Sequence, residues 1–203
     1  MCKMRTASVL IAALAMGLAP VAGHAATVSV EVRGANGKPL AGAVVMIDTP
    51  HRPAGPIRFP WPYVMAQEKI SFQPHVLIVP VGASVSFPNH DPVRHQVYSF
   101  SAPKNFELKL YGRDETRSVV FDQPGLVALG CNIHDSMSGF IWVVDTPFAA
   151  QSDAGGHVTI ANVPAGGATL RLWHPSIRAP GNVITQTVTI APTGYSGTLT
   201  ARR

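Results

Sequence analysis

From Thr27 onward the apolar residues of this chain come in short Val- and Ile-rich runs, each cut off by glycine, proline, asparagine or aspartate. Runs of that length are too brief for a helix to propagate and suit strands that bury one face. A proline or glycine falls in almost every interval between them, and the 203 residues contain 18 Gly and 18 Pro against only 13% charged residues. The pattern predicts an all-β protein with a proper core rather than a disordered one.

The first 25 residues differ. Lys3 and Arg5 precede an apolar run from Ala7 to Ala19, and small residues Gly23 and Ala25 follow at a cleavage position. This is the pattern of a secretory leader, and it predicts export to the periplasm. The run is shorter than the roughly 20 residues that a membrane-spanning helix needs, and no later run is longer, so no membrane span is expected. Cys2 precedes the apolar run instead of following it, which argues against a lipid anchor. Two of the five formal positive charges leave with the leader, and apart from Arg202 and Arg203 no Lys/Arg cluster remains. Nothing here suggests a nucleic-acid partner, and no Gly-rich phosphate loop is visible.

Along the mature chain, TVSVEVRGANGKPLAGAVVMID reads as a hairpin of two strands turning through Ala35-Asn36-Gly37. Residues 49–66 carry prolines at 50, 53, 56, 60 and 62, which rules out a central strand and marks a linker or covering loop. Eight runs follow, KISF, HVLIVP, ASVSF, RHQVYSF, FELKLY, TRSVVF, GLVALGC and GFIWVVD, enough for a small sandwich. After Phe148, FAAQS, HVTIANV, ATLRLWH, VITQTVTI and SGTLTA continue the pattern and need a partner sheet.

Once the leader is removed Cys131 is the only cysteine, so it has no internal disulfide partner. A lone thiol in an oxidising compartment survives when it is buried or ligated. Taken singly, a cysteine like Cys131 is ordinarily a small buried hydrophobe, and a methionine like Met137 ordinarily fills core. The joint spacing changes that reading. In Cys131-Asn132-Ile133-His134-Asp135-Ser136-Met137 a thiol, an imidazole and a thioether recur every three residues between two strands, and this soft donor set suits copper. A short loop needs one more imidazole from another strand. His95, entering the run HQVYSF, is favoured over its rival His90, which lies in the turn chemistry of Asn89 to Asp91.

These residues resemble the cupredoxins. The stretch from about Phe72 to Val144 carries the likeness: Cys-x-x-His-x-x-Met followed by SGFIWVV resembles the short ligand loops of amicyanin and pseudoazurin, and VPVGASVSFPNHDPVRHQV resembles their metal-binding strand. By that resemblance His95, Cys131, His134 and Met137 are the ligands of one type 1 copper ion. Cys131 would give the short thiolate contact, His134 the solvent-edge imidazole, His95 the buried one and Met137 the weak axial contact. Gln96 departs from the pattern, since many cupredoxins place an asparagine there to brace the ligand loop. The flanking segments VSVEVRGANGKPLAGAVVMID and SDAGGHVTIANVPAGGATLRLWHP resemble the halves of a transthyretin-like, carboxypeptidase-regulatory-type sandwich. The implied organisation is residues 1–25 as leader, a cupredoxin Greek-key β-sandwich over 59–146, and one discontinuous sandwich from 26–58 and 147–203.

The function so implied is single-electron transfer between redox protein partners. Ile133, Met137, Pro92 and Phe140 would form an apolar rim for the partner. No paired acid and base or Ser-His-Asp set points to an enzyme. Two rival functions use the same sequence: a copper carrier or buffer, and a non-metal binding module with a vestigial site. His51, His75, His157 and His174 read as surface or hydrogen-bonded residues, with His174 packed in the flanking sandwich. Trp61 and Trp142 read as packing residues ahead of any role in an electron path.

Overall fold

The computed structural model describes residues 25–50 and 54–201. The expected leader lies outside these residues except for Ala25, as do His51, Arg202 and Arg203. The described chain is all-β, as the sequence predicts, and none of its helices is long and apolar enough to cross a membrane. Two strands come first, β1 (Ala25–Arg33) and β2 (Val44–Asp48). After the proline-rich segment come β3 (Ala66–Gln67), β4 (Phe72–Gln73), β5 (Val76–Pro80), β6 (Ala83–Pro88) and β7 (His95–Ser101). Next are β8 (Lys104–Tyr111), β9 (Thr116–Phe121), β10 (Gly125–Gly130) and β11 (Ser138–Val144). The chain ends with β12 (Ala149–Gln151), β13 (His157–Pro164), β14 (Gly166–Trp173), β15 (Val183–Ile190) and β16 (Tyr195–Thr200).

The central strands make one sandwich. A five-stranded sheet, in the order β5-β11-β10-β7-β8, faces the β6-β9 pair, and the small β3-β4 hairpin joins the β6 side through bridges Val64–Ser86 and Gln67–Asn89. The chain changes sheet between β5 and β6, β6 and β7, β8 and β9, and β9 and β10, which is Greek-key behaviour. Period-two patterns in β6 and β10 send Val85, Phe87, Val127 and Leu129 into a shared core with Tyr111, Phe121 and Ile141.

The outer strands make a second sandwich, with sheets ordered β13-β1-β16 and β12-β2-β14-β15. Alternation in β1 buries Val28, Val30 and Val32 against Val45, Ile47, Leu170 and Ile190. The predicted β1–β2 hairpin is not what forms. The chain does turn at Gly34 to Gly37, with Gly37 at φ 76, but β1 pairs with β13 and β16 whereas β2 pairs with β12 and β14. The reason lies in Val44-Val45-Met46-Ile47, all four wholly buried. A strand covered on both faces belongs between layers, and β1 exposes one face.

The second face of β2 packs on the central sandwich. Val44, Met46, Ala149 and Trp173 meet Val76, Ile78, Trp142 and Val144 in a third core between the two sandwiches. Trp173 is fully buried and meets Phe140 and Trp142 edge-on, at centroid distances of 5.1 and 5.9 Å. Gln151 of β12 donates to the Val76 carbonyl of β5 at 2.9 Å. Trp142 is thus the packing residue expected, and Trp61 is another, stacked on Phe59 at 4.7 Å with its N–H on the Ile78 carbonyl.

The run KISF also needs correcting. Only Phe72 of it is strand; Lys69 and Ile70 form the two-residue turn between β3 and β4, at φ 55 and 53. No Gly or Asn marks the turn, so its sequence reads as β.

Candidate metal centre

Cys131 stands at the end of β10, and residues 131–137 return the chain to β11, closing an antiparallel hairpin whose last pair is Gly130 with Ser138. Inside the loop the Met137 N–H donates to the His134 carbonyl at 2.8 Å, which keeps the turn tight. On its other side β10 pairs with β7 through Gly130 and Tyr98. The antiparallel register therefore brings the start of β7, His95, beside the ligand loop.

Two imidazoles flank the thiol. His95 Nδ1 is 3.9 Å and His134 Nδ1 4.0 Å from Cys131 Sγ, with the rings 5.0 Å apart, and the three donor atoms all lie within 4.8 Å of one another. A metal bonded to sulfur at about 2.3 Å and nitrogen at about 2.0 Å in a trigonal plane sets those atoms about 3.7 Å apart. The three side chains can hold one metal ion with little movement. His95 and Cys131 are closed off from solvent, while His134 is half-buried. Met137 is buried in the same core as Cys131, 2% exposed. His90, the rival to His95, is exposed, with its N–H on the Gln67 carbonyl at 2.9 Å.

Around these groups lies a set of braces that sequence reasoning missed. Asp91, only 5% exposed, places Oδ2 2.7 Å from His95 Nε2. Its carboxylate also accepts the Lys69 N–H at 2.6 Å and the Ile70 N–H at 2.9 Å. Burial pushes the Asp91 carboxyl upward, but the hydrogen bonds from Ile70, His95 and Lys69 outweigh it and hold the group below its ordinary 3.8. A carboxylate only accepts, so Nε2 carries a proton, and the ring turns its Nδ1 toward Cys131. Asn89, fully buried, ties the same loop together: Nδ2 donates to the Val93 and Tyr111 carbonyls, and Oδ1 accepts the Asp91 N–H at 2.9 Å. The turn-forming pair Asn89-x-Asp91 was legible; its bond to the histidine four residues on was not, because only the fold brings the side chains together. Gln96 sits at a register shift in the β7–β8 pairing, and its amide donates to Glu107 on β8. The residue that departs from the expected pattern thus braces a neighbouring strand.

Two residues expected at the apolar rim are elsewhere. Met137 is buried, and Phe140, three residues further on and so on the opposite face of the strand, packs on Trp173 between the sandwiches. Ile133 and Pro92 are exposed, and so are Val93 and Ile70, on the loops that carry Asp91 and its amide donors. His75 and His157 are exposed, and His174 is half-buried with Nδ1 2.7 Å from the Ser176 hydroxyl.

No protein-family model matches the chain, and no curated protein does. Among solved structures, the chain is similar to a copper-containing nitrite reductase from Thermus scotoductus SA-01, with 29% identity over 48% of this chain and TM-score 0.40. That match spans 25% of the reductase. An oxidised amicyanin variant matches at 24% identity over 40% of this chain and 80% of its own, TM-score 0.37. A purple cupredoxin from Nitrosopumilus maritimus matches at 22% identity over 40% of this chain and 96% of its own, TM-score 0.36.

Proposed function

We propose that the chain is an exported copper protein of the cupredoxin type, in which His95, Cys131, His134 and Met137 hold one type 1 copper ion for single-electron transfer. The observation that carries this reading is the buried thiol flanked by two imidazole nitrogens at 3.9 and 4.0 Å. A donor set of one thiolate and two imidazoles, with a thioether beside it, suits copper above the harder divalent ions. Bound there, copper supplies a one-electron couple and no bond-making chemistry.

The chain's own residues do the rest. Asp91 fixes the His95 ring, and the tight 131–137 loop fixes Cys131 and His134, so the donors need not rearrange when charge changes. His134 is the ligand that solvent reaches, and exposed Ile133 beside it in the loop, with exposed Pro92 and Val93 on the segment leading to His95, offers apolar surface on which a redox protein can dock. We assign the metal-holding unit to residues 59–146 and its companion to 26–58 with 147–203, the leader of 1–25 directing the whole to the periplasm. The protein is then a carrier of electrons rather than an enzyme.

Adding Cu(II) to the purified protein and recording its visible spectrum tests the reading. A strong thiolate-to-copper band is expected, absent from C131S. A colourless protein, or a C131S variant that keeps the band, rejects the site. Copper that leaves readily to a mild chelator and shows no reversible redox couple would assign the protein to copper delivery instead.

A further inference from the structure

The turn between β3 and β4 lies outside the ligand loop, yet its backbone points at the site. Two-residue hairpin turns with positive φ at both central positions normally use Asn-Gly or Gly-Gly, because side chains with a Cβ resist that conformation. Here the positions are Lys69 and Ile70, at φ 55 and 53, and a β-branched residue at positive φ is a true outlier. Such strain persists where the surroundings over-determine it. What surrounds this turn is the Asp91 carboxylate, whose Oδ1 takes the Lys69 N–H and whose Oδ2 takes the Ile70 N–H.

From this geometry we infer that the turn at Lys69 and Ile70 is a positioning device for His95, acting through Asp91. Successive left-handed residues converge two N–H groups on one concavity that grips an anion, and here the anion is part of the chain. One amide on each oxygen stops the carboxylate from rotating. Oδ2 keeps a further lone pair, which accepts the His95 Nε2–H at 2.7 Å. The Asp91 N–H is itself held by Asn89 Oδ1, and the His90 N–H by the Gln67 carbonyl of β3, so hairpin and loop are stitched at both ends. The imidazole thereby keeps its Nε2–H on Asp91 and one orientation, Nδ1 toward Cys131, before any ion arrives. That this nitrogen then serves copper rests on the function proposed above; the clamp itself does not.

Nuclear magnetic resonance of the copper-free, nitrogen-15-labelled protein tests it. In the wild type, the His95 Nε2 proton and the Lys69 and Ile70 amides should all exchange slowly with solvent. In D91N both amides should lose more than about tenfold of their protection, the scale set by a hydrogen bond to a charged group, and the His95 Nε2 proton should exchange faster. I70P removes the donor and, because proline cannot reach positive φ, the turn with it, so it should shift the His95 Nε2 signal in the same direction, whereas I70G keeps both and should leave the His95 signals unchanged. Amide exchange indifferent to D91N, or a His95 signature shared by wild type and I70P, overturns the clamp. Should I70P fail to fold, the exchange of the native turn in D91N still decides. A protein that shows the clamp but never the copper band loses the proposed function alone; one that binds copper with His95 indifferent to these changes loses the clamp alone.

Discussion

Replacing Trp173 with alanine should weaken both sandwiches together, although the residue belongs to the outer one. Its side chain is fully buried and lies edge-on against Phe140 and Trp142 of β11, the strand that leaves the ligand loop. Truncating a buried tryptophan ordinarily costs about 3–5 kcal/mol. Part of that is returned here, because Trp173 Nε1 is a buried donor without a partner among the described residues, and leaving such a group unsatisfied costs about 1–3 kcal/mol. We therefore expect the low end, about 3 kcal/mol, or a fall in Tm of about 6–12 °C for a domain of this size. The assay uses two probes on protein expressed from residue 26: far-ultraviolet circular dichroism for all strands, and the reactivity of Cys131, which is 3% exposed, toward a thiol reagent for the central sandwich. Both should report one transition, displaced equally in W173A. If Cys131 became reactive at an unchanged temperature while only the dichroism moved, the third core would not be coupling the layers and the reasoning would fail.

The choice between the two upstream histidines is tested by H95A, which should lose the thiolate-to-copper band, and H90A, which should keep it; the reverse result would reassign the ligand. Alkaline titration tests the core beneath the site. Burial raises the Tyr111 pKa from 10.0 to about 12, so the folded protein holds a proton that the unfolded chain gives up. Stability should be flat below about pH 10 and fall by about 2–3 kcal/mol as pH rises toward 12, at about 1.4 kcal/mol per unit. Denaturant midpoints measured across that window should lose the slope in Y111F, and an identical slope in both proteins would count against it.

Local chemistry explains what was legible. The proposed ligands Cys131, His134 and Met137 lie in one loop, so their spacing is written in the sequence, and His95, placed beside that loop by the fold, is marked there only by entering a strand. Pairing is different. Asn36-Gly37 declares a turn but not which sheet the chain joins afterwards, and β1 and β2 were read as partners for that reason. The four consecutive apolar residues Val44 to Ile47 held the contrary signal, since a half-exposed hairpin strand alternates. Lys69 and Ile70 carry no turn chemistry at all; their conformation is imposed by a carboxylate distant in sequence. Phe140 looked like rim because it follows the ligand loop, yet the pleat directs it to the opposite face, onto Trp173.

The sheet order of the outer sandwich sets a schedule for assembly. β1 is the first strand among the described residues, and its two neighbours are β13 and β16, both made after the central strands are complete. Contacts so far apart in sequence form late, because the loop between them must close first. The central sandwich can therefore take shape while its companion still waits for strands. The last stretch of chain acts as a clasp, shutting against β1 and β2 and sealing the tryptophans inside. A break anywhere beyond β11 would spare every proposed ligand and still leave that clasp open.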